Sequence, residues 1–243
     1  MNKIVIRRQF CGPPNSGNGG YVCGVLARDI VGPATAVLRA PIPLDVELAL
    51  ADRDEGRVLL GEGDVLIGQA GPGRQALPEP PPAPSLEAAR EASTRCIGLQ
   101  ERVHPICFTC GEGRAEGDGL RVFPGQLANA DPGVVACVWT SHAAFADDDG
   151  RIAPEYVWAA LDCPGIFAWM AKTGRQGALL GTMTGEITKP VQSGADYIVL
   201  AWPLEAEGRK RTAGVALFDA EGHLVARAHQ VWITMTARPT GAI

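Results

Sequence analysis

Apolar residues along this chain fall into short runs separated by turn-forming clusters, and two kinds of run recur. The first kind is small-residue and helix-like. "GGYVCGVLARDI" follows the glycine-rich "FCGPPNSGN" and predicts a helix over residues 19 to 31, and "PEYVWAALDCPGI" repeats the type in the second half. The second kind reads as strands in pairs. "RAPIPLDVELALAD" and "TKPVQSGADYIVLAWP" each give a short strand, a proline, a turn and a strand. "RVLLGEGDVLIGQA" parallels "RTAGVALFDAEGHLVARAHQVWITM", where Asp219 to Gly222 reads as a hairpin turn between two apolar runs.

The order of runs is therefore repeated: a helix, then a meander of strands, twice. With Tyr21-Val22 placed over Tyr156-Val157, Leu26 lies over Leu161 and Ala27 over Asp162. One helix followed by several antiparallel strands implies an α+β class, with a curved sheet wrapping the helix. Between the halves, five prolines from Pro78 to Pro84 exclude helix interior and central strand and favour extended polyproline. Ser85 then caps a short helix, "LEAAREAST". The expected organisation is an N-terminal unit over 1–75, a Pro-rich and Cys/Gly-rich connection over 76–119, and a C-terminal unit over 120–243.

Composition narrows the function classes. The 243 residues suffice for a sizeable core, and a net charge of -5 gives no support to nucleic-acid binding. No apolar run approaches the roughly 18 residues of a membrane span. "MNKIVIRRQF" lacks the apolar stretch of a signal peptide, so a cytoplasmic location is expected, with the seven cysteines as reduced thiols.

The chemistry concentrates at the helix starts. Asn18-Gly19-Gly20 at the mouth of the first helix leaves bare N–H groups that favour an anion. Asp162 is a lone acid in an apolar helical run, and followed by Cys163-Pro164-Gly165 it reads equally as a helix break. Cys107-x-x-Cys110, with Cys96 and His104 upstream, supplies four metal ligands on paper at an unfamiliar spacing, and no metal is expected. Cys11, Cys23, Cys137 and Cys163 read as small packing residues. Arg209-Lys210-Arg211 reads as a hairpin tip, either solvated or placed to clamp phosphates. Trp158, Phe167 and Trp169 read as packing between helix and sheet.

The Gly-Gly helix start, the mid-helix acid and the following meander resemble the hot-dog-fold thioesterases. Two such units in one chain resemble the double hot-dog acyl-CoA thioesterases. "CFTCGEGRAEGDGLRVFPG" resembles the opening of many phenylacetate-pathway thioesterases, which commonly carry His where this chain has Asn18. The resemblance implies two units pairing side by side into one sheet, their helices antiparallel. Each site is then built from the helix mouth of one unit and the acid of the other. Here one site keeps both elements, Gly19-Gly20 and Asp162, and its counterpart has neither, with Ala27 and Pro154-Glu155 in their places.

The implied activity is hydrolysis of an acyl-CoA or related thioester without a cofactor. Asn18, Gly19, Gly20 and Tyr21 would form the oxyanion hole, with Asp162 as base or nucleophile. "GTMTGEITKPV" and "LVARAHQVWI" resemble the strands that hold the attacking water, which assigns Thr182 and Gln230, with Thr184 as the same-face alternative. A non-catalytic acyl-CoA or lipid binder is the alternative. A hydratase or dehydratase is another, although none of His104, His142, His223 and His229 lies at the helix mouth. The partner is the thioester substrate, with neither nucleic acid nor membrane expected. A monomer and a homo-oligomer are both compatible.

Overall fold

The computed structural model describes residues 2–235 apart from positions 55 and 103. The first half contains β1 (Asn2–Val5), α1 (Gly19–Ala27), β2 (Ala34–Leu38), β3 (Glu47–Arg53), β4 (Gly56–Leu60) and β5 (Leu66–Pro72). The connection contributes α2 (Leu86–Ser93), α3 (Ile97–Glu101) and β6 (Gly125–Gln126). The second half contains β7 (Val135–Thr140), α4 (Pro154–Ala160), α5 (Pro164–Thr173), β8 (Ala178–Ile187), β9 (Asp196–Glu207), β10 (Lys210–Phe218) and β11 (Leu224–Thr234).

All eleven strands join one sheet in the order β1-β3-β4-β5-β2-β8-β11-β10-β9-β7-β6. Outward from the seam between β2 and β8, the halves read β2-β5-β4-β3-β1 and β8-β11-β10-β9-β7. These are the same topology, strand for strand, so the repeat is plainer in space than in sequence. The seam is antiparallel, with Thr35 opposite Thr184 and Val37 opposite Thr182.

The central helices cross that seam. Every residue of α1 except Gly19 is buried, so the helix is apolar all round and sits inside the fold. It ends at Ala27, earlier than residue 31, where Ile30 N–H turns back to the Ala27 carbonyl ahead of Gly32 and Pro33. The second helical run starts with Pro154 at its first turn, where a missing N–H costs nothing. It breaks over residues 161–163, because Pro164 cannot continue the hydrogen-bond ladder, and resumes as α5.

α1 and α4 run antiparallel in close contact. A Cβ on Gly20 would lie 2.6 Å from the Trp158 carbonyl oxygen and from Asp162 Cβ, and one on Gly24 would lie 2.5 Å from Glu155 Cα. The two glycines, one helical turn apart, share the face that meets α4. The pairs Gly20/Ala159 and Gly24/Glu155 exchange under the shift that lays Tyr21 over Tyr156, so a pseudo-twofold passes between the helices.

The outer face of the second-half sheet is also covered. Ser85 Oγ accepts the Ala88 amide at 3.2 Å and starts α2, which packs on β7 and β9; its Ala89 and Ala92 share a buried cluster with Ala136 of β7 and with Ile198, Leu200 and Trp202 of β9. Alternate residues of β9 (Tyr197, Val199, Ala201) belong instead to the central core with α5. Burial on both faces explains why β9 and β10 read as nearly continuous apolar runs. No helix among the described residues is long and apolar enough to cross a membrane.

Candidate active site

The mouth of α1 is held by its own cap and by a residue from the connection between the halves. Asn18 is the N-cap, and its Oδ1 accepts the Tyr21 amide at 2.9 Å. Its Nδ2 donates to Thr109 Oγ1 at 3.1 Å, and the Thr109 hydroxyl donates to the Ala159 carbonyl at 2.7 Å. The "CFTCG" segment thereby ties the start of α1 to the end of α4.

Asp162 lies in the break between α4 and α5 and is 3% exposed. Burial raises its carboxyl to about 7, opposed by the nearby Gly20 N–H and Asn18 side-chain amide, which favour the ionised form. Its Oδ1 has no hydrogen-bond partner among the described residues. The glycine at position 20 is what lets the acid approach this closely. With the Tyr21 amide taken by Asn18 and the Gly20 amide near Asp162, the Gly19 amide, at the partly exposed first residue of α1, has no partner among the described residues.

The pseudo-symmetric position, at the other end of the helix pair, holds different chemistry. Glu155 is buried and takes an ion pair from Arg28, whose side chain is half exposed. Tyr21 and Tyr156, related by the repeat, sit in one aromatic cluster with Phe10, Phe108 and Phe145, and Tyr21 stacks on Phe10 at 4.2 Å.

The other expected site residues are not gathered around the Asp162 carboxyl. Gln230 is fully buried and touches the acid's backbone. Its Nε2 donates to the Leu161 and Asp162 carbonyls at 2.6 and 2.9 Å, and its Oε1 accepts from Trp232 Nε1 at 2.8 Å. It thus satisfies carbonyls that the helix break leaves free. Thr182 pairs with Val37 and Val231, and Thr184 with Thr35, His229 and a 2.9 Å contact to the Thr35 hydroxyl. Both lie on the sheet face opposite Gln230 and Met183. The cause is a bulge in β8: Trp232 pairs with Leu180 and Val231 with Thr182, leaving Gly181 extra. Leu180 therefore faces the helix mouth, 3.1 Å from where a Gly19 Cβ would stand.

Thr109 carries no role in the sequence reading, although the "CFTCG" motif that contains it was the available signal. The expected ligand set also changes. His104 is exposed, whereas Cys163 comes from the helix break to join Cys107 and Cys110, with all three sulfurs within 4.8 Å of one another. Cys163 is thus one of a thiol cluster, not an isolated packing residue. Hydrogen bonds from the Cys110 and Cys163 thiols hold the Cys107 thiol well below its usual range. The basic run does sit at the β9–β10 turn, where Arg209 Nε donates to the Thr234 carbonyl at 2.9 Å and Arg211 lies 5.5 Å over Trp169. Trp158 packs on Gly185 and Trp169 donates to the Thr212 carbonyl at 2.8 Å, so both are core residues. Two surface depressions lie away from Asp162. One of ≈ 350 Å³ is on the outer face between Thr35, Arg53, Arg57 and Gln69, and one of ≈ 430 Å³ is beside Arg209 and Ile233.

Solved structures similar to this chain cover nearly all of it. A protein of Novosphingobium aromaticivorans provisionally named a thioesterase has 13% identity and a TM-score of 0.61, over 96% of this chain and 94% of its own. The tesB protein of Mycobacterium avium subsp. paratuberculosis has 15% identity and a TM-score of 0.60, over 96% and 93%. A protein of unknown function with a hot dog fold from Alicyclobacillus acidocaldarius has 10% identity and a TM-score of 0.57, over 97% and 93%. No family model matches the chain, and no curated protein matches it in sequence. Identities this low establish the fold: two hot-dog units in one chain, paired into a continuous sheet.

Proposed function

We propose that this protein hydrolyses a thioester, an acyl-CoA or a related acyl thioester, at one composite site. The observation that carries the reading is the meeting of Asp162, from the second unit, with the Asn18-Gly19-Gly20 mouth of α1, from the first. Thioester hydrolysis needs a base or nucleophile beside preorganised donors for the developing oxyanion. Asp162 supplies the first. The mouth supplies the second, with the Gly19 amide open and the Gly20 amide beside the acid. In the ground state Asp162 itself occupies the positive end of the helix; a thioester carbonyl entering past Gly19 would share those donors as its oxygen becomes negative. Gln230 acts through the backbone of the break, fixing the direction of Asp162, and Thr182 is given no part in the chemistry. The similarity in fold to proteins named as thioesterases supports the same reading.

A second reading, a protein that holds an acyl thioester without turnover, is favoured by the tight closure of Asp162 against Gly20. Thiol release from short, medium, long and aromatic acyl-CoAs separates the two. The enzyme reading expects release by the wild type and loss of release with Asp162→Asn. A well-folded wild type that binds an acyl-CoA and releases no thiol from any of the panel would establish the holder instead.

A further inference from the structure

Cys107, Cys110 and Cys163 are the three sulfurs brought together beside the helix break, and the thioester chemistry uses none of them. We propose that they form a binding site for a soft divalent metal ion, zinc by preference. The inference stands apart from the thioester reading, and its test reads metal.

The geometry fits an ion better than packed thiols or a disulfide. Zinc–sulfur bonds of about 2.3 Å place the sulfurs of a tetrahedral centre about 3.8 Å apart. Cys107 and Cys163 Sγ are 3.7 Å apart, and all three sulfurs lie within 4.8 Å of one another. A disulfide requires about 2.05 Å. Cysteines that serve only as small apolar residues scatter through a core, as Cys23 in α1 and Cys137 in β7 do. Here three converge from two distant segments, each at most 8% exposed.

The sulfurs sit in a tightly folded, buried setting. The Cys107–Cys110 loop folds tightly, with the Gly111 amide 2.9 Å from the Cys107 carbonyl oxygen; a Cβ at Gly111 would stand 2.5 Å from that oxygen. Asn18 Nδ2 lies 3.9 Å from the Cys107 sulfur. Donors of this kind orient thiolate ligands and stabilise their charge. Cys163 is the N-cap of the ten-residue α5, so the cluster joins the helix break to the loop. On binding, each thiol gives up its proton to solvent and its sulfur lone pair to the ion, so one divalent ion and three thiols yield the bound tris-thiolate and three protons. Water takes the fourth position. An ion here would cross-link the "CFTCG" loop to the residue after Asp162, fixing the acid's position at the mouth of α1.

The reduced protein, stripped with chelator, is to be titrated with Co²⁺ and then Zn²⁺ and its metal content measured after gel filtration. One ion per chain is expected, with the near-ultraviolet thiolate-to-cobalt band and the visible bands of a tetrahedral centre. Cys107→Ser, Cys110→Ser and Cys163→Ser are each expected to lose the ion, and Cys137→Ala to keep it. Since a serine variant can fail to fold, zinc X-ray absorption on the wild type is the second measurement. A shell dominated by sulfur at about 2.3 Å supports the site. No retained ion, an oxygen and nitrogen shell, or binding that survives all three folded serine variants would overturn it.

Discussion

The two ends of the α1–α4 helix pair are related by the repeat, yet they hold opposite chemistry. At one end the helix mouth with its glycines meets Asp162, a buried acid with no cation beside it among the described residues; Asp162 Oδ1 and Glu155 Oε2 alike lack a hydrogen-bond partner there, so the cation is what differs. At the other end the acid is Glu155, brought in by the helix start itself and neutralised by Arg28 at the surface. Both ends need a glycine in α1 for the helices to touch: Gly20 at the first and Gly24 at the second. The scaffold is therefore symmetric, and the difference lies in what compensates the buried carboxylate. An ion pair stabilises a closed end, whereas an acid held only by amide donors is left with capacity for a substrate.

The comparison is broken or sharpened most strongly by removing the acids one at a time. Asp162→Asn is expected to lower thiol release by about a thousandfold, the scale of a lost general base, and Glu155→Gln to leave it within about twofold. Steady-state rates on the same acyl-CoA decide this, and equal losses would show that the ends are not specialised.

Next come the glycines. Adding a methyl at Gly20 or Gly24 meets backbone of α4 at 2.5–2.6 Å, which no rotamer relieves. Overpacking of about 1–3 kcal/mol outweighs the roughly 1 kcal/mol that alanine gains over glycine in a helix. Both Gly20→Ala and Gly24→Ala should therefore lower the denaturation midpoint. Only Gly20→Ala should also reduce kcat in the folded fraction. If Gly24→Ala reduces it equally, the symmetric end takes part in the reaction.

Arg28→Ala leaves Glu155 buried without its partner and should cost about 1–3 kcal/mol in urea unfolding, with kcat unchanged. A smaller loss, about 1 kcal/mol, is expected for Asn18→Ala from the lost cap alone, accompanied by a fall in kcat because the same side chain faces Asp162. The smallest effect is expected for Thr182→Val, which changes a residue on the far face of the sheet; rates within about twofold of wild type are expected, and a large loss would place Thr182 in the site after all.

Much of this arrangement was legible in the sequence because it rests on pattern. The alternation of helix and strand runs carried the duplicated topology, and aligning Tyr21 with Tyr156 placed the two helices in the register that the structure adopts. Ser85 announced α2. The outer-face docking of α2 was not legible, since it depends on which side of β9 each apolar residue faces. The sheet face of Thr182 was not legible, because a single extra residue, Gly181, makes a bulge that reverses strand faces without a distinctive local signal. Gln230 lies at the helix break, and its partners are backbone carbonyls freed by a break that only the folded chain defines. Cys163 could not be joined to Cys107 and Cys110 from spacing alone, because the 56 residues that separate it from Cys107 close only in the folded chain.

The most direct test of the central claim is a crystal structure with a nonhydrolysable thioether analogue of the acyl-CoA that binds best. The account predicts the analogue's reacting centre at the Gly19 end of α1, beside Asp162 and within hydrogen-bond reach of the mouth amides. A reacting centre at the Arg28–Glu155 end, or in the outer-face depression between Arg53 and Arg57, would contradict it.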